Sequence, residues 1–229
     1  MTGVSEALLI KKMPLGESDI MTTLFTKQFG KIRAAARNAA TSRKRFGGRL
    51  EPFALIRVET ALTRSGGRAI TDAEVVKSFE NIAKKMEVFL QASCVLEFID
   101  AAVSEEESPC EEVFAEAVRA LEAMDGGAGF QATLDFQTAA LGILGYGVDF
   151  SLCGGCGDSP QSGVLVFPSG LFLCGRCARK SRGRPARKAF SLRSAGGALE
   201  NIKCLNAFVQ YQTGKELKSA KLLENMLNV

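Results

Sequence analysis

The sequence predicts an α+β protein in which a small five-stranded β-barrel is followed by a helical region that carries a four-cysteine insert. Three observations lead to this prediction. Apolar residues alternate with polar ones in short glycine-bounded runs over residues 1–80, the apolar spacing becomes helical over residues 81–229, and two Cys-x-x-Cys pairs interrupt the helical region at about residues 150–180. Strands and helices that are segregated along a chain are typical of α+β architecture. The predicted domains are therefore residues 1–80, as a nucleic-acid-binding barrel, and residues 81–229, as a helical domain with a zinc-binding insert at about 150–180.

The first 80 residues have the pattern of half-buried strands. In the clearest one, Ile56, Val58 and Leu62 share one face, while Arg57 and Glu59 share the other. The Ser-Gly-Gly sequence that follows at 65–67 predicts a hairpin turn. The five predicted strands are 4–10, 20–26, 31–37, 55–62 and 68–79. Short strands joined by glycine-rich turns favour a small barrel.

Helical periodicity begins near Asn81. The sequence Ser-Pro-Cys-Glu at 108–111 is a start signal, with Ser108 as the N-cap, Pro109 in the first turn and Glu111 closing a capping box. Asp-Gly-Gly at 125–127 ends that helix. The predicted helices are 81–103, 109–125, 130–144, 194–212 and 215–227.

Composition excludes several functional classes. Of the 229 residues, 46% are apolar and 24% are charged, which is ordinary globular usage. No apolar run approaches the roughly 20 residues that span a bilayer, and Lys11 and Lys12 follow a short apolar run instead of preceding it as in a secretory signal. We therefore expect a cytoplasmic protein without membrane contact. The chain has no histidine, which rules out Ser–His, Cys–His and histidine–metal sites.

The cysteines give the strongest site prediction. Cys153 and Cys156 form one Cys-x-x-Cys pair, and Cys174 and Cys177 form a second. This spacing is typical of zinc sites, because the tight turn inside each pair directs two sulfur atoms toward one ion. An apolar hairpin lies between the pairs, as in a zinc ribbon. Four thiolate ligands leave no open position for water, so we expect one structural Zn²⁺ per chain.

Three other interpretations compete with zinc. A redox Cys-x-x-Cys motif needs one pair and not two. An iron–sulfur cluster also uses four cysteines, although neither of its characteristic spacings is present. The metal could also have been lost, which would leave four free thiols. The other cysteines, Cys94, Cys110 and Cys204, fall on predicted helices and are expected to be small core residues.

Charge is unevenly distributed, since residues 1–80 and 151–229 have an excess of basic residues and residues 81–150 an excess of acidic ones. The first basic cluster is accompanied by phenylalanines, a combination typical of single-strand binding, in which cations contact phosphates and rings stack on bases. A solvated loop beside core phenylalanines is the alternative. The candidate DNA-binding residues are Lys31, Arg33, Arg37, Arg43, Lys44, Arg45 and Arg49.

A second basic cluster directly follows the last cysteine pair. With Ser181, Gly183 and Pro185 among its residues, it reads as an exposed loop that could bind DNA or an acidic partner peptide. Charge alone does not separate these two ligands. The residues of this cluster are Arg176, Arg179, Lys180, Arg182, Arg184, Arg187 and Lys188.

No catalytic motif accompanies these clusters. The sequence has no P-loop, no G-x-G-x-x-G and no G-x-S-x-G. We therefore expect a protein that is not an enzyme and that has no small-molecule substrate.

The order of several short motifs resembles the RecO family of bacterial recombination and repair mediators, over nearly the whole chain. The segments that carry the resemblance are Pro-Leu-Gly-Glu-Ser-Asp at 14–19, Leu-Phe-Thr at 24–26, Phe-Gly at 29–30, Arg-Leu-Glu-Pro-Phe at 49–53, the cysteine block with Phe-Pro-Ser-Gly at 167–170, and 214–223 with Leu-Lys-Ser at 217–219. One departure is Asn38, because the family pattern has a glycine after the basic residue that corresponds to Arg37.

The resemblance implies an N-terminal five-stranded OB-fold β-barrel, followed by an α-helical domain with a four-cysteine zinc ribbon-like insert. It implies binding of single- and double-stranded DNA and annealing of complementary strands. The implied partners are RecR, the C-terminal tail of single-strand-binding protein and, indirectly, RecA recombinase, which the family helps to load. The implied location is the bacterial cytoplasm, in association with the nucleoid. Some members of the family lack the cysteines.

Two functions of other classes remain open from the sequence. The first is a zinc-ribbon transcription or ribosome-associated factor that binds nucleic acid. The second is a structural interaction protein whose basic faces bind acidic partners. DNA binding with strand annealing would separate the mediator from both, because fold analogy alone does not establish function.

Overall fold

In the computed structural model the chain forms two compact units. The described residues are 2–39, 41–42, 46–105, 110–146, 148–181, 187–191 and 197–227. The first unit, called the barrel unit, comprises Met1–Phe89 and Val103–Gly126, and the second, the ribbon unit, comprises Leu90–Ala102 and Gly127–Val229. None of the helices in these described ranges combines the length and the apolarity that a bilayer crossing requires.

Five strands close the predicted barrel. They are β1 (Thr2–Leu15), β2 (Asp19–Thr26), β3 (Gly30–Ala36), β4 (Ala54–Leu62) and β5 (Arg68–Ser78). The order around the barrel is β1-β2-β3-β5-β4, and β4 pairs back with β1. The pairs are antiparallel except for β3 with β5, which are parallel over three residue pairs. The strand prediction is confirmed.

The barrel interior is filled by the apolar face of each strand. Leu9, Leu24, Ile32, Ile56 and Ile70 are all nearly inaccessible to solvent. Burying a side chain of this size stabilises the fold by roughly 1.5–3 kcal/mol. Phe46 and Leu50, from the connection between β3 and β4, pack into the same core.

The helices differ from the prediction at their ends. The predicted helix 81–103 is a short 3₁₀ turn (Ile82–Lys84) and then α1 (Met86–Ala102), because the extended backbone of Lys85 interrupts it. The predicted helix 109–125 begins later, as α2 (Glu111–Asp125), with Cys110 at the N-cap. The N-cap is therefore Cys110 and not Ser108 as predicted, and Ser108 and Pro109 themselves lie outside the described residues. Helix α2 belongs to the barrel unit, where Phe114 packs against Phe25 at 5.7 Å between ring centroids.

The ribbon unit combines helices with a small sheet. Its helices are the part of α1 from Leu90 onward, α3 (Gly129–Ile143), α4 (Gly175–Lys180), α5 (Gly197–Thr213) and α6 (Lys218–Leu227). Its strands are β6 (Ser162–Val166), β7 (Leu171–Cys174) and β8 (Arg187–Ser191), in the order β7-β6-β8. The β6–β7 hairpin was predicted, whereas β8 was not.

Candidate metal centre and nucleic-acid interface

The four predicted cysteines converge on one point of the ribbon unit. Cys153 and Cys156 lie on a turn before β6, Cys174 ends β7, and Cys177 lies on α4. The backbone N–H of Gly157 donates to the carbonyl of Cys153 at 2.8 Å, and Gly157 itself has φ +74°. A left-handed residue at that point lets the turn close, which favours glycine there. The N–H of Gly154 bonds the carbonyl of Phe172 at 2.9 Å, which fastens this turn to β7.

The sulfur atoms are arranged as a metal site requires. All four Sγ atoms lie within 4.8 Å of one another. Cys156 Sγ and Cys174 Sγ are 3.8 Å apart. Tetrahedral ligands with zinc–sulfur bonds of about 2.3 Å stand roughly 3.8 Å from each other, so the cluster has the dimensions of a four-thiolate site.

Backbone N–H groups stabilise negative charge on the inner sulfur. Cys153 is 2% exposed, and its Sγ accepts hydrogen bonds from the N–H of Cys174 at 3.2 Å and of Gly155 at 3.4 Å. The bond from Cys174 is the main cause that lowers the pKa of the Cys153 thiol to about 6. The hydrogen bond to Cys156 and burial raise the pKa of the Cys177 thiol to about 12. Four adjacent thiols therefore do not all ionise by themselves, and a bound cation would supply the missing compensation.

Gly155 allows the two cysteine turns to approach each other. A Cβ atom on Gly155 would lie 3.1 Å from both Cβ and Sγ of Cys177. That separation is tighter than ordinary van der Waals contact, so a larger side chain would push Cys177 away from the other sulfur atoms. The glycines inside and after the first pair are therefore part of the site geometry and not only of its turn.

One ion pair lies at the rim of the cysteine cluster. Arg176 Nη2 donates to Asp158 Oδ2 at 2.6 Å, and Cys156 Sγ lies 3.3 Å from the same carboxylate oxygen. The hydrogen bond to Cys156, with the charge of Asp158, raises the pKa of the Arg176 guanidinium. A site with four thiolates and one divalent ion carries a net charge of about −2, which an adjacent guanidinium offsets. Arg176 is thus engaged at the cysteine cluster.

The barrel unit carries a separate groove of about 680 Å³. We call it the barrel groove. Its lining combines arginines with apolar and aromatic side chains, and Glu105 is the acidic residue in the lining. The Arg68 guanidinium lies over the Phe29 ring at 5.2 Å from the centroid, within cation–π range. The defining residues of the groove are Met21, Phe29, Arg33, Arg37, Leu62 and Arg68.

The first basic cluster is only partly brought together by the fold. Arg33 and Arg37 are exposed and line the barrel groove. Lys31 is 2% exposed and forms a β-bridge with Glu105, so its ammonium does not face solvent. Arg49 donates to the carbonyl of Ala73 at 2.8 Å and lies 3.6 Å from Asp72, which fastens it to β5. The predicted residues Arg43, Lys44 and Arg45 lie outside the described residues.

Sequence reasoning missed the arginines of the β4–β5 hairpin. Arg68 lines the barrel groove, and Arg64 is exposed on the same hairpin turn. Both flank the predicted Ser-Gly-Gly turn, and the parallel pairing of Ala34 with Arg68 brings that turn beside β3. The signal that could have found them comes from the fold and not from the local sequence, because in small barrels of this kind the loop between strands 4 and 5 often faces the ligand.

The second basic cluster is not one exposed loop. Arg176, Arg179 and Lys180 lie on α4, and all three are exposed. Arg187 and Lys188 belong to β8, which pairs with β6. The loop prediction is therefore wrong for these five residues, because three lie on a helix and the other two belong to a strand that is hydrogen-bonded to β6. Arg182 and Arg184 lie outside the described ranges.

The remaining cysteines occupy other parts of the chain. Cys94 and Cys204 are buried core residues, as predicted. Burial raises the pKa of both thiols to about 12, so they stay neutral. Cys110 is half-buried at the start of α2.

The strand order and the cysteine cluster define the class of this protein, an OB-fold barrel followed by a helical domain with a ribbon-like insert. Comparison with known families then gives two matches, "Recombination protein O N terminal" over residues 1–79 and "Recombination protein O C terminal" over residues 85–195. The chain belongs to the RecO family.

Curated relatives agree with this assignment. A protein named "DNA repair protein RecO" from Geobacter metallireducens is 33% identical over 76% of this chain and 72% of the relative. One of the same name from Nocardioides sp. is 32% identical over 83% of this chain and 80% of the relative. A third, from Myxococcus xanthus, is 29% identical over 95% of each chain.

Proposed function

We propose that this chain acts in DNA repair as a recombination mediator that binds DNA through the barrel groove. The observation that carries the proposal is the lining of that groove, in which Arg33, Arg37 and Arg68 surround Phe29 and Met21. Guanidinium groups neutralise phosphates, and the apolar side chains offer surfaces on which unpaired bases stack. The names of the relatives, all of them DNA repair proteins, support the same function.

Charge on the rest of the barrel favours this groove over the exposed face of β4 and β5. The outer side of β4 and β5 carries Glu59, Asp72 and Glu74, all exposed. Arg57, which lies among them, is 3.7 Å from Glu74. Such a surface repels phosphates, whereas the barrel groove attracts them. We infer that DNA lies along β2, β3 and the β4–β5 hairpin. Arg43, Lys44 and Arg45 remain proposed DNA contacts, whereas Arg49 lies beside Asp72 and is not part of this proposed surface.

We further propose one Zn²⁺ held by Cys153, Cys156, Cys174 and Cys177. When bound, zinc joins the four thiolates into one structural unit. The cysteines take all four positions of a tetrahedral ion, which suits a structural and not a catalytic site. Four soft thiolates in tetrahedral geometry select either zinc or an iron–sulfur cluster. Zinc is the better choice here, because the chain lacks the cysteine spacings that are characteristic of iron–sulfur clusters.

The proposed activity is annealing of complementary strands without chemical turnover. Two strands repel each other through their phosphates, and a protein that neutralises that charge lowers the barrier to pairing. The barrel groove supplies one basic surface, and the cluster from Arg176 to Lys188 is proposed as a second surface for DNA or a partner peptide. The proposed partners are RecR, the acidic tail of single-strand-binding protein and, through loading, RecA. The proposed location is the bacterial nucleoid.

An annealing assay tests this proposal. Complementary oligonucleotides are mixed, one of them coated with single-strand-binding protein, and duplex formation is followed by fluorescence. The protein is expected to accelerate pairing at low salt, with the rate falling as salt rises, because screening weakens phosphate contacts. A metal-loaded, folded protein that leaves the annealing rate unchanged at every salt concentration would contradict the mediator function.

A further inference from the structure

Asn38, at the point where the chain leaves β3, has an unusual backbone conformation. Its φ is +56°, in the left-handed region that most side chains avoid. Asparagine tolerates this conformation better than most residues, although less well than glycine. The resemblance to the family predicts a glycine here, so Asn38 meets the same backbone requirement while adding a polar side chain.

The side chain and the backbone of Asn38 both make hydrogen bonds to residues at the start of β2. The N–H of Asn38 donates to Asp19 Oδ1 at 2.7 Å. The Ser18 hydroxyl donates to Asn38 Oδ1 at 3.3 Å. Ser18 belongs to the turn between β1 and β2, and Asp19 is the first residue of β2, so the start of β2 is fastened to the exit of β3. We call these three residues the Asn38 clamp.

The Asn38 clamp also begins the connection that leads to the basic residues 43–45. The carbonyl of Asn38 accepts hydrogen bonds from the N–H groups of Ser42 at 2.8 Å and Thr41 at 3.2 Å. The N–H of Phe46 then bonds the carbonyl of Ser42 at 3.1 Å, and Phe46 is buried in the barrel core. The basic segment thus lies between a turn begun by Asn38 and an anchored phenylalanine.

We propose that Asp19 and Asn38 are positioning residues for DNA binding, although neither needs to touch DNA. The clamp fixes the backbone of Asn38 and thereby holds the neighbouring Arg37 at the barrel groove. This inference rests on the proposed function, since it assumes that DNA lies in that groove. The Asp19 carboxylate thus supports DNA binding, although its negative charge beside a cationic surface would by itself weaken the attraction of DNA.

Two substitutions of Asp19 distinguish the effect of the hydrogen bond to Asn38 from the effect of the negative charge. Asp19→Asn and Asp19→Ala remove the same charge, but only asparagine keeps an oxygen that accepts the Asn38 N–H. Asp19→Asn is expected to bind single-stranded DNA at least as tightly as the wild type. Asp19→Ala is expected to bind about five- to tenfold more weakly, because the hydrogen bond that orients the loop is lost. Its slope of log affinity against log salt should also fall by roughly 0.7, the loss of one phosphate contact.

Glu17→Ala is the matched control, because Glu17 is exposed on the same turn. It should bind DNA as tightly as the wild type or slightly more tightly. Hydrogen exchange without DNA gives a second readout, in which the amides of residues 37–42 exchange faster in Asp19→Ala than in Asp19→Asn. Asn38→Gly and Asn38→Ala both lose the acceptor of the Ser18 hydroxyl, but only alanine is strained at positive φ, so Asn38→Ala should bind DNA more weakly than Asn38→Gly.

The outcomes separate the two proposals. Equal DNA affinity for Asp19→Ala and Asp19→Asn, in proteins with the same thermal midpoint, would overturn the clamp and leave DNA binding intact. If Asp19→Ala does not fold, equal affinity for Asn38→Gly and Asn38→Ala overturns the clamp instead. A wild-type protein that binds no DNA at any salt concentration would overturn the proposed function, and the positioning role with it.

Discussion

Cys153→Ser is expected to abolish stoichiometric zinc binding and to unfold the ribbon around β6 and β7. Cys153 is the most buried of the four cysteines, and its sulfur accepts two backbone hydrogen bonds. A hydroxyl is a far poorer zinc ligand than a thiolate, so three ligands would remain. Structural zinc sites contribute about 10–16 kcal/mol of binding energy at neutral pH, and that energy is folding energy. Losing most of it exceeds the stability of an ordinary domain.

Elemental analysis and limited proteolysis measure this effect. The wild type should contain one zinc per chain and resist cleavage between β6 and α4, whereas Cys153→Ser should contain much less metal and be cleaved there. Cys110→Ser is the matched control, because Cys110 is a half-buried cysteine far along the chain from the cluster. It should keep its zinc. A Cys153→Ser protein that retains one zinc per chain and resists proteolysis would show that Cys153 is not a ligand.

The local parts of the fold could be predicted from the sequence. Alternation placed Ile56 and Val58 inside the barrel, where both are fully buried. The cysteine site was predictable for a similar reason, because each pair fixes its own turn and a short hairpin brings the two turns together. Glycine at position 157 supplies the left-handed residue that the turn requires. Information of this kind lies within a few residues and needs no long-range contact.

Long-range contacts explain what the sequence did not predict. The sequence places Lys31 among the candidate DNA-binding residues, but in the structure Lys31 forms a β-bridge with the distant Glu105 and is buried. Arg68 reaches the barrel groove because β5 pairs in parallel with β3, which no local pattern indicates. The sequence predicts a loop where β8 lies, because the neighbouring basic and glycine residues obscure the strand pattern. These contacts depend on topology and not on local propensity.

Replacing Arg33, Arg37 and Arg68 together with glutamine is expected to weaken DNA binding on the order of tenfold to a hundredfold at low salt. The three guanidinium groups line one groove, so a strand lying there loses three phosphate contacts at once. For single strands each lost contact reduces the slope of log affinity against log salt by roughly 0.7, so the slope should fall by about 2. Glutamine keeps part of the side-chain stem, which limits the effect on packing around Phe29.

A matched triple variant controls for the loss of net charge. Lys27, Arg57 and Lys77 are exposed on the same barrel unit but outside the barrel groove. Glutamine at these three positions removes the same charge, and long-range electrostatics alone would weaken DNA binding equally in both proteins. Binding at the groove predicts instead that the control keeps nearly the wild-type salt slope. Equal slopes for the two triple variants, both folded by circular dichroism, would mean that DNA does not lie in the barrel groove and that net charge alone attracts it.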